Sequence, residues 1–372
     1  MIEYVRIKNF RSLVDVAVDL CPVTVLIGRS GTGKSNFVRA IRFLRDSLNL
    51  RAVVFNADHG NSLHVDHIDE PLEFEIRFNI AALESQFVYL LVFDPKTQTY
   101  TERLTKENQT LFHHAGRKWI VVPDVVSVPA PHGILLGAIP GLQDSTFAYI
   151  ALRSHIGCYD FPGEVVAGSG VVGNPPDNGF ADRGENYLVV ADRILGDLNL
   201  VKRWNRIVKC LKVLNLAVRS LTPNVPNRER IDVGYTVNTR VLTLDIRNES
   251  EGFRRFFAHL LALYQTPSKG ALLFEHPESG LHPAALQALA DEFKRCPEEN
   301  RGQIILTTHS PQLLDYFPAE SIRVVQIENH ATQIGLLAPE QLSSVRDHLI
   351  FLGELLTVDP ARMSDRLETV SG

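Results

Sequence analysis

Gly28-Arg29-Ser30-Gly31-Thr32-Gly33-Lys34-Ser35 stands between an apolar run, Val23-Thr24-Val25-Leu26-Ile27, and a stretch in which Phe37, Ile41, Phe43 and Leu44 recur at helical spacing among Arg39, Arg42 and Arg45. The octapeptide fits G-x-x-x-x-G-K-[ST] in full, at a strand-to-helix junction where that pattern carries meaning. Glycines let backbone N–H groups turn inward around phosphate oxygens. The Lys34 ammonium adds a point charge at the β and γ phosphates, and the Ser35 hydroxyl suits Mg²⁺. The positive end of the following helix favours the same anion. Such a cradle serves several classes of nucleotide-driven protein, so the rest of the chain has to choose among them.

On the N-terminal side, residues 2–8 and 13–20 read as strands, with Val14, Val16 and Val18 alternating against polar or small neighbours. Downstream, residues 72–79 alternate: Leu72, Phe74, Ile76 and Phe78 face one side, Glu73, Glu75 and Arg77 the other. Residues 87–94, 100–104 and 110–121 read as further strands, which together imply an antiparallel sheet. Between 122 and 200 proline and glycine are frequent, and VVGNPPDNG (171–179) reads as an exposed loop. Helices are expected at 184–197 and at 201–217, where Trp204, Ile207, Val208, Leu211 and Leu214 share a face. Two strands are expected near 231–246. From 251 to 309 the pattern is helix, strand, helix, strand, the signature of a parallel α/β layer. The expected division is an N-terminal lobe (1–121), an insertion (122–225), a C-terminal lobe (226–345) and a tail (346–372).

Two segments of the C-terminal lobe complement the cradle. Ala271-Leu272-Leu273-Phe274-Glu275 is an apolar strand ending in a carboxylate, and it runs on as His276-Pro277-Glu278-Ser279-Gly280-Leu281-His282-Pro283. Ile304-Ile305-Leu306-Thr307-Thr308-His309-Ser310 is a second apolar strand ending in polar residues. A carboxylate at the first strand end can hold Mg²⁺ through water, and a histidine at the second can sense or polarise a γ-phosphate. Upstream, Ser250 can cap a helix from 251 to 265, so that its hydroxyl and the N–H of Gly252 point toward an anion.

Taken in order, these segments resemble the ABC-type ATPase heads of the RecF/SMC-like and OLD-like AAA proteins. IKNFRSL looks like their opening strand, with Phe10 and Arg11 as its Phe-Arg pair. EHPESGLHP looks like Walker B followed by the D-loop, with Gly280 and His282. TTHSPQLLD looks like the switch-histidine segment, and Asn248 to Arg255 like the signature that reaches across a dimer, here Ser250, Glu251 and Gly252. The match covers most of the chain and is weakest in the middle, where GENYLVVADRIL still carries it.

The resemblance implies an α/β P-loop NTPase: an ABC-ATPase head with a flanking antiparallel β-subdomain and a mainly helical lid insertion. It implies ATP and Mg²⁺, with Arg11, Gly28, Ser30, Gly31, Thr32, Gly33, Lys34, Ser35 and Asn36 at the nucleotide. Ser35 and Glu275 would serve the metal. Glu275, His276, Glu278 and His309 would form the catalytic group. Two chains would sandwich two ATP molecules, as a homodimer or higher even oligomer.

The sequence departs from that pattern at one informative place. The family reads [DE]-E where this chain has Glu275-His276, so an imidazole stands where the water-orienting carboxylate belongs. Slow hydrolysis and a long-lived ATP-bound dimer are expected; Glu278 as substitute base, or His276 itself acting as base, are the rivals. In the cradle, Ser30 replaces the usual Asn, and no Q-loop glutamine is identifiable between residues 55 and 75.

Composition narrows the class. The chain has 372 residues, 45% apolar and 22% charged, a globular balance, and a net charge of -5 that argues against a uniformly basic nucleic-acid coat. Cys21, Cys158, Cys210 and Cys296 form no C-x-x-C pair. The N-terminus lacks a signal-peptide pattern and no run approaches membrane-spanning length, so a cytoplasmic location is expected. Lys202, Arg203, Arg206, Lys209 and Lys212 make the helix at 201–217 basic, able to meet phosphates or an acidic partner. The absence of heptad arms and the short segment after His309 lead to the expectation of a bare head without a Toprim domain. Such a head would regulate or scaffold a separate effector protein, in an anti-phage or toxin-type pair. A DNA-clamping repair or chromosome-maintenance ATPase is the alternative, and a transporter subunit ranks last.

Overall fold

The computed structural model describes residues 1–53, 63–122, 132–168, 179–223, 230–346 and 351–364; residues 171–178 of the loop expected at VVGNPPDNG fall outside them. The strands run β1 (Ile2–Phe10), β2 (Leu13–Asp19), β3 (Val23–Ile27), β4 (Leu72–Ile80), β5 (Ser85–Asp94), β6 (Thr99–Lys106), β7 (Gln109–Ala115) and β8 (Lys118–Val121). They continue with β9 (Ile156–Tyr159), β10 (Val218–Pro223), β11 (Ile231–Val237), β12 (Arg240–Asp245), β13 (Ala271–Glu275), β14 (Gln303–Thr307), β15 (Ile322–Glu328) and β16 (Ala331–Gly335). The longer helices are α1 (Lys34–Leu50), α2 (Gln143–Arg153), α3 (Tyr187–Gly196), α4 (Val201–Leu211), α5 (Glu251–Tyr264) and α6 (Pro283–Glu298). The chain divides into two compact units: Met1–Ile156 with Ala319–Leu349 and Asp359–Gly372, and Gly157–Pro318 with Ile350–Val358.

In the first unit an antiparallel sheet runs in the order β2-β1-β4-β5-β6-β7-β8. The period-two pattern of β4 puts Leu72, Phe74, Ile76 and Phe78 in the core while Glu73, Glu75 and Arg77 stay half-buried. Phe10 packs on Phe43 of α1 at 5.4 Å and both rings reach Phe74 at 6.3 Å, so aromatic burial ties the sheet to the helix behind the glycine turn. The run expected as one strand over 110–121 is a hairpin, because Gly116 adopts a φ of 58° and turns β7 back onto β8. β3 is buried throughout and pairs in parallel with β15, which pairs antiparallel with β16.

Glu102 on β6 is fully buried and accepts four hydrogen bonds, from the Tyr89 hydroxyl (2.7 Å), His114 Nε2 (3.0 Å) and the amides of Leu135 (2.5 Å) and Leu136 (3.1 Å). One carboxylate thereby fastens the segment around residue 135 to the sheet.

In the second unit β13 and β14 pair in parallel and are buried at every position, as their continuous apolar runs require. β10, β11 and β12 form a separate antiparallel sheet. α5 is buried continuously from Phe256 to Tyr264. The helix expected over 201–217 stops at Leu211. Residues beyond it turn, with the Asn215 side chain accepting from the Ala217 amide, and the chain enters β10. The helix expected from 184 starts at Tyr187, because buried Asn186 is engaged with the Ala181 amide and the Gly179 carbonyl.

Replacing Glu102 by Ala leaves those four buried donors without an acceptor. The expected loss is about 3 kcal/mol or more of unfolding free energy, read from urea denaturation.

Candidate functional site

The glycine turn belongs to the first unit. It leaves β3 at Gly28 and enters α1 at Lys34. Gly28 and Gly33 adopt φ values of 154° and 105°, and neither has room for a side chain. A Cβ on Gly28 would lie 2.1 Å from the Val325 carbonyl oxygen; one on Gly33 would lie 2.1 Å from Thr332 Oγ1 and 2.9 Å from Ser12 Oγ. Gly31 also has a left-handed φ, of 81°, but faces open space. The Lys34 ammonium, buried with its residue, donates to the carbonyls of Gly28 and Arg29 at 2.8 Å each and so sits inside the turn's own curve.

A polar chain buttresses the turn from outside. Asn36 Nδ2 donates to Ser12 Oγ at 2.8 Å, Ser12 Oγ lies 2.7 Å from Thr332 Oγ1, and the Thr332 hydroxyl donates to the Thr32 carbonyl at 2.9 Å. The Thr332 amide donates to the Ser12 carbonyl at 2.7 Å. Thus the β1–β2 turn and β16 grip the loop together. Beside it is a cavity of about 490 Å³, lined by Arg11, Ser12, Asn36, His64, Asp66 and His330 among others. That volume falls in the small-molecule range. Arg11 and Asn36, named from sequence, meet there. Ser12, Thr332, His64 and His330 were not read from sequence, since single polar residues in short turns carry no motif.

The remaining candidate residues belong to the second unit. Glu275 ends β13 and is buried. His276 then takes a φ of 47°, a left-handed conformation that a non-glycine residue adopts at a cost. Its amide donates to the Thr307 carbonyl at 3.1 Å, and its ring stacks on His309, 5.0 Å between centroids and 6° from parallel. Glu278 Oε1 lies 3.8 Å from His276 Nδ1 and accepts the His309 amide at 3.0 Å. Burial pushes the Glu278 carboxyl up, but the nearby His276 side chain and the hydrogen bond from the His309 amide outweigh it, leaving the pKa below the ordinary value. Glu278 is therefore a charged clamp on both histidines.

Ser250 caps α5, its hydroxyl accepting from the Phe253 amide at 3.3 Å, and both Ser250 and Glu251 are exposed. The serine-glycine segment lies against the turn after β13: a Cβ on Gly252 would stand 2.7 Å from the Gly280 carbonyl oxygen. Glu251 pairs with Arg255 at 2.9 Å, and His282 caps α6.

Two family models match different parts of the chain. Residues 1–124 match a family described as an AAA ATPase domain. Residues 163–315 match one described as an AAA domain, putative AbiEii toxin, type IV TA system. The Old nuclease of Escherichia phage P2 is 21% identical over 93% of this chain; the chain spans 62% of that protein's length. An Smc head bound to the C-winged helix domain of ScpA is similar in fold, with a TM-score of 0.57 at 15% identity, covering 91% of this chain and 99% of that one. An Smc head with an extended coiled coil, bound to the C-terminal domain of ScpA derived from Pyrococcus furiosus, gives 0.56 at 13% identity, covering 94% and 99%. The α/β architecture is that of a P-loop NTPase.

Thr332→Val keeps shape but removes the hydroxyl that holds the Thr32 carbonyl. A fluorescent ATP analogue is expected to bind this variant about five-fold to ten-fold more weakly, in line with one lost buried hydrogen bond of about 1–1.4 kcal/mol.

Proposed function

We propose, from the premise that this chain is an ABC-type ATPase head of the RecF/SMC-like, OLD-like AAA kind, that it closes as a pair around ATP and uses that closure to hold or release a separate effector protein. The observation that carries the reading is the buttressed glycine turn, with Lys34 drawn inside its curve, Gly28 and Gly33 packed where no side chain fits, and Gly31 facing open space. The donor chemistry also suits a hard divalent cation: in the first unit Ser35 offers a hydroxyl oxygen that would hold Mg²⁺, and in the second Glu275 offers a carboxylate of the same hard-oxygen class. When bound, Mg²⁺ supplies charge neutralisation at the β and γ phosphates. The adjoining cavity, with Arg11 and Asn36 in its wall, would take the rest of the nucleotide.

Within the second unit, Glu275 would serve the metal while His276 takes the place of the water-orienting carboxylate. Glu278 is held by the His309 amide, so its role is to position the two stacked histidines. His309 would contact the γ-phosphate. The Ser250-Glu251-Gly252 segment at the N-terminus of α5, whose Ser250 and Glu251 are exposed, would contact the partner copy's nucleotide. An imidazole at position 276 lacks the fixed negative charge of a carboxylate and polarises water more weakly, hence slow turnover and a persistent closed state.

The phage nuclease relative and the toxin-type description of the matched domain support a place in anti-phage defence or a toxin pair. The fold shared with Smc heads supports DNA clamping as the second reading.

Steady-state ATP turnover tests the site. The wild type is expected below about 1 s⁻¹, and His276→Glu is expected to raise it about ten-fold or more. A faster wild type, or no gain in the variant, contradicts the slow-site reading. Retention of a protein partner in a non-hydrolysable ATP analogue but not in ADP supports the effector reading. DNA-stimulated turnover with no protein partner favours the clamp.

A further inference from the structure

The basic helix α4 gains a specific surrounding in the fold. A cavity of about 330 Å³ lies where α4 meets the C-terminal ends of α5 and α6, and Lys202, Arg203, Arg206, Arg295, Arg301 and Glu299 line it with Tyr264. Five cations thus share one small space. Two carboxylates oppose them, Glu299 at the wall and Glu292 beneath it, the latter fully buried.

Much of each cation's hydrogen bonding is accounted for. Arg206 Nε donates to Glu292 Oε1 at 2.7 Å, and its Nη2 pairs with the same oxygen. Arg203 Nη1 donates to the Gln265 carbonyl at 3.1 Å and Ser268 Oγ at 3.3 Å. Arg301 donates from Nη1 to the Leu263 carbonyl and from Nε to Glu299, both at 2.8 Å, with its guanidinium 4.2 Å over the Tyr264 ring. Arg203 and Arg301 therefore cap the carbonyl end of α5.

That capping leaves a remainder. Arg301 is 5% exposed, yet its Nη2 has no hydrogen-bond acceptor; Glu292 Oε2 stands off at 3.9 Å. A buried guanidinium donor left in this state costs free energy unless something fills the place. Burial, and next the Arg301 charge, hold the Arg203 guanidinium below its ordinary pKa, as expected where positive charge exceeds negative. Arg295 Nη1 is 3.8 Å from Glu299 Oε1, a loose pair that a stronger anion can displace.

We propose that this cavity binds the phosphate group of a small phosphorylated molecule, using residues other than those of the glycine turn. Several guanidinium forks around one small volume suit a tetrahedral oxyanion with several acceptors. The volume matches the lower range of small-molecule pockets. Arg301 is too deeply recessed for a duplex backbone, which meets cations on open surfaces.

Calorimetric titration with inorganic pyrophosphate tests this, on the full chain presaturated with Mg²⁺ and a non-hydrolysable ATP analogue so that the glycine turn is occupied. The parent is expected to bind one pyrophosphate per chain with a Kd below about 1 mM. The double variant Lys202→Ala/Arg295→Gln, which changes two side chains at the mouth and spares the buried caps, is expected to bind about ten-fold or more weakly with an unchanged unfolding midpoint. Lys34→Ala is expected to keep this site, which separates it from the nucleotide reading. Absence of pyrophosphate binding in the parent, equal binding by the double variant, or loss only in Lys34→Ala would overturn the proposal. So would duplex DNA binding that depends on Lys202 and Arg295 while pyrophosphate does not bind.

Discussion

The turn after β3 is packed against the backbone of β15 and a side chain of β16, with no space for a β-carbon at Gly28 or Gly33. Val325 supplies a carbonyl at the first position and Thr332 a hydroxyl at the second. From that contact the rest of the first unit follows. α1 leaves the turn in a fixed direction and anchors through Phe43 on the aromatic cluster with Phe10 and Phe74. The β1–β2 turn is then drawn in, because Ser12 bridges Asn36 and Thr332. Arg11 comes with it. A loop that must present several N–H groups to one anion needs such external clamping, since its own conformation is costly and left-handed in part.

Much of this was legible in the residue order, for physical reasons. The octapeptide restricts chemistry at four of its eight positions and sits between a buried strand and an amphipathic helix, so it could be recognised without tertiary information. The alternation in β4 was equally clear. What escaped was everything whose partner is distant in sequence. Thr332 lies about 300 residues from Thr32, in a short strand whose two buried side chains, Thr332 and Ile334, give too brief a period to read. Glu102 reads as one polar residue on a half-exposed strand, and only the fold reveals four donors converging on it. The hairpin over 110–121 did have a local signal, the Ala-Gly-Arg turn, which the surrounding β-rich composition obscured.

In the second unit the proposed slow turnover rests on one position. His276 is held in a left-handed conformation, stacked on His309 and steadied by the Glu278 carboxylate. On this account the chain is arranged to keep nucleotide rather than to spend it, which suits a protein whose output is the closed assembly. The serine cap of α5 fits the same purpose: it satisfies its own helix through the Phe253 amide while staying exposed at the surface where a second copy would dock.

The most direct test is the solution mass of the chain by light scattering, with Mg²⁺ and a non-hydrolysable ATP analogue. The account predicts that nucleotide converts the parent to twice the single-chain mass, and that Lys34→Ala and Ser250→Arg both remain single, Ser250→Arg while still binding nucleotide. A parent that stays single in saturating nucleotide, or a Lys34→Ala variant that pairs as readily as the parent, would contradict it.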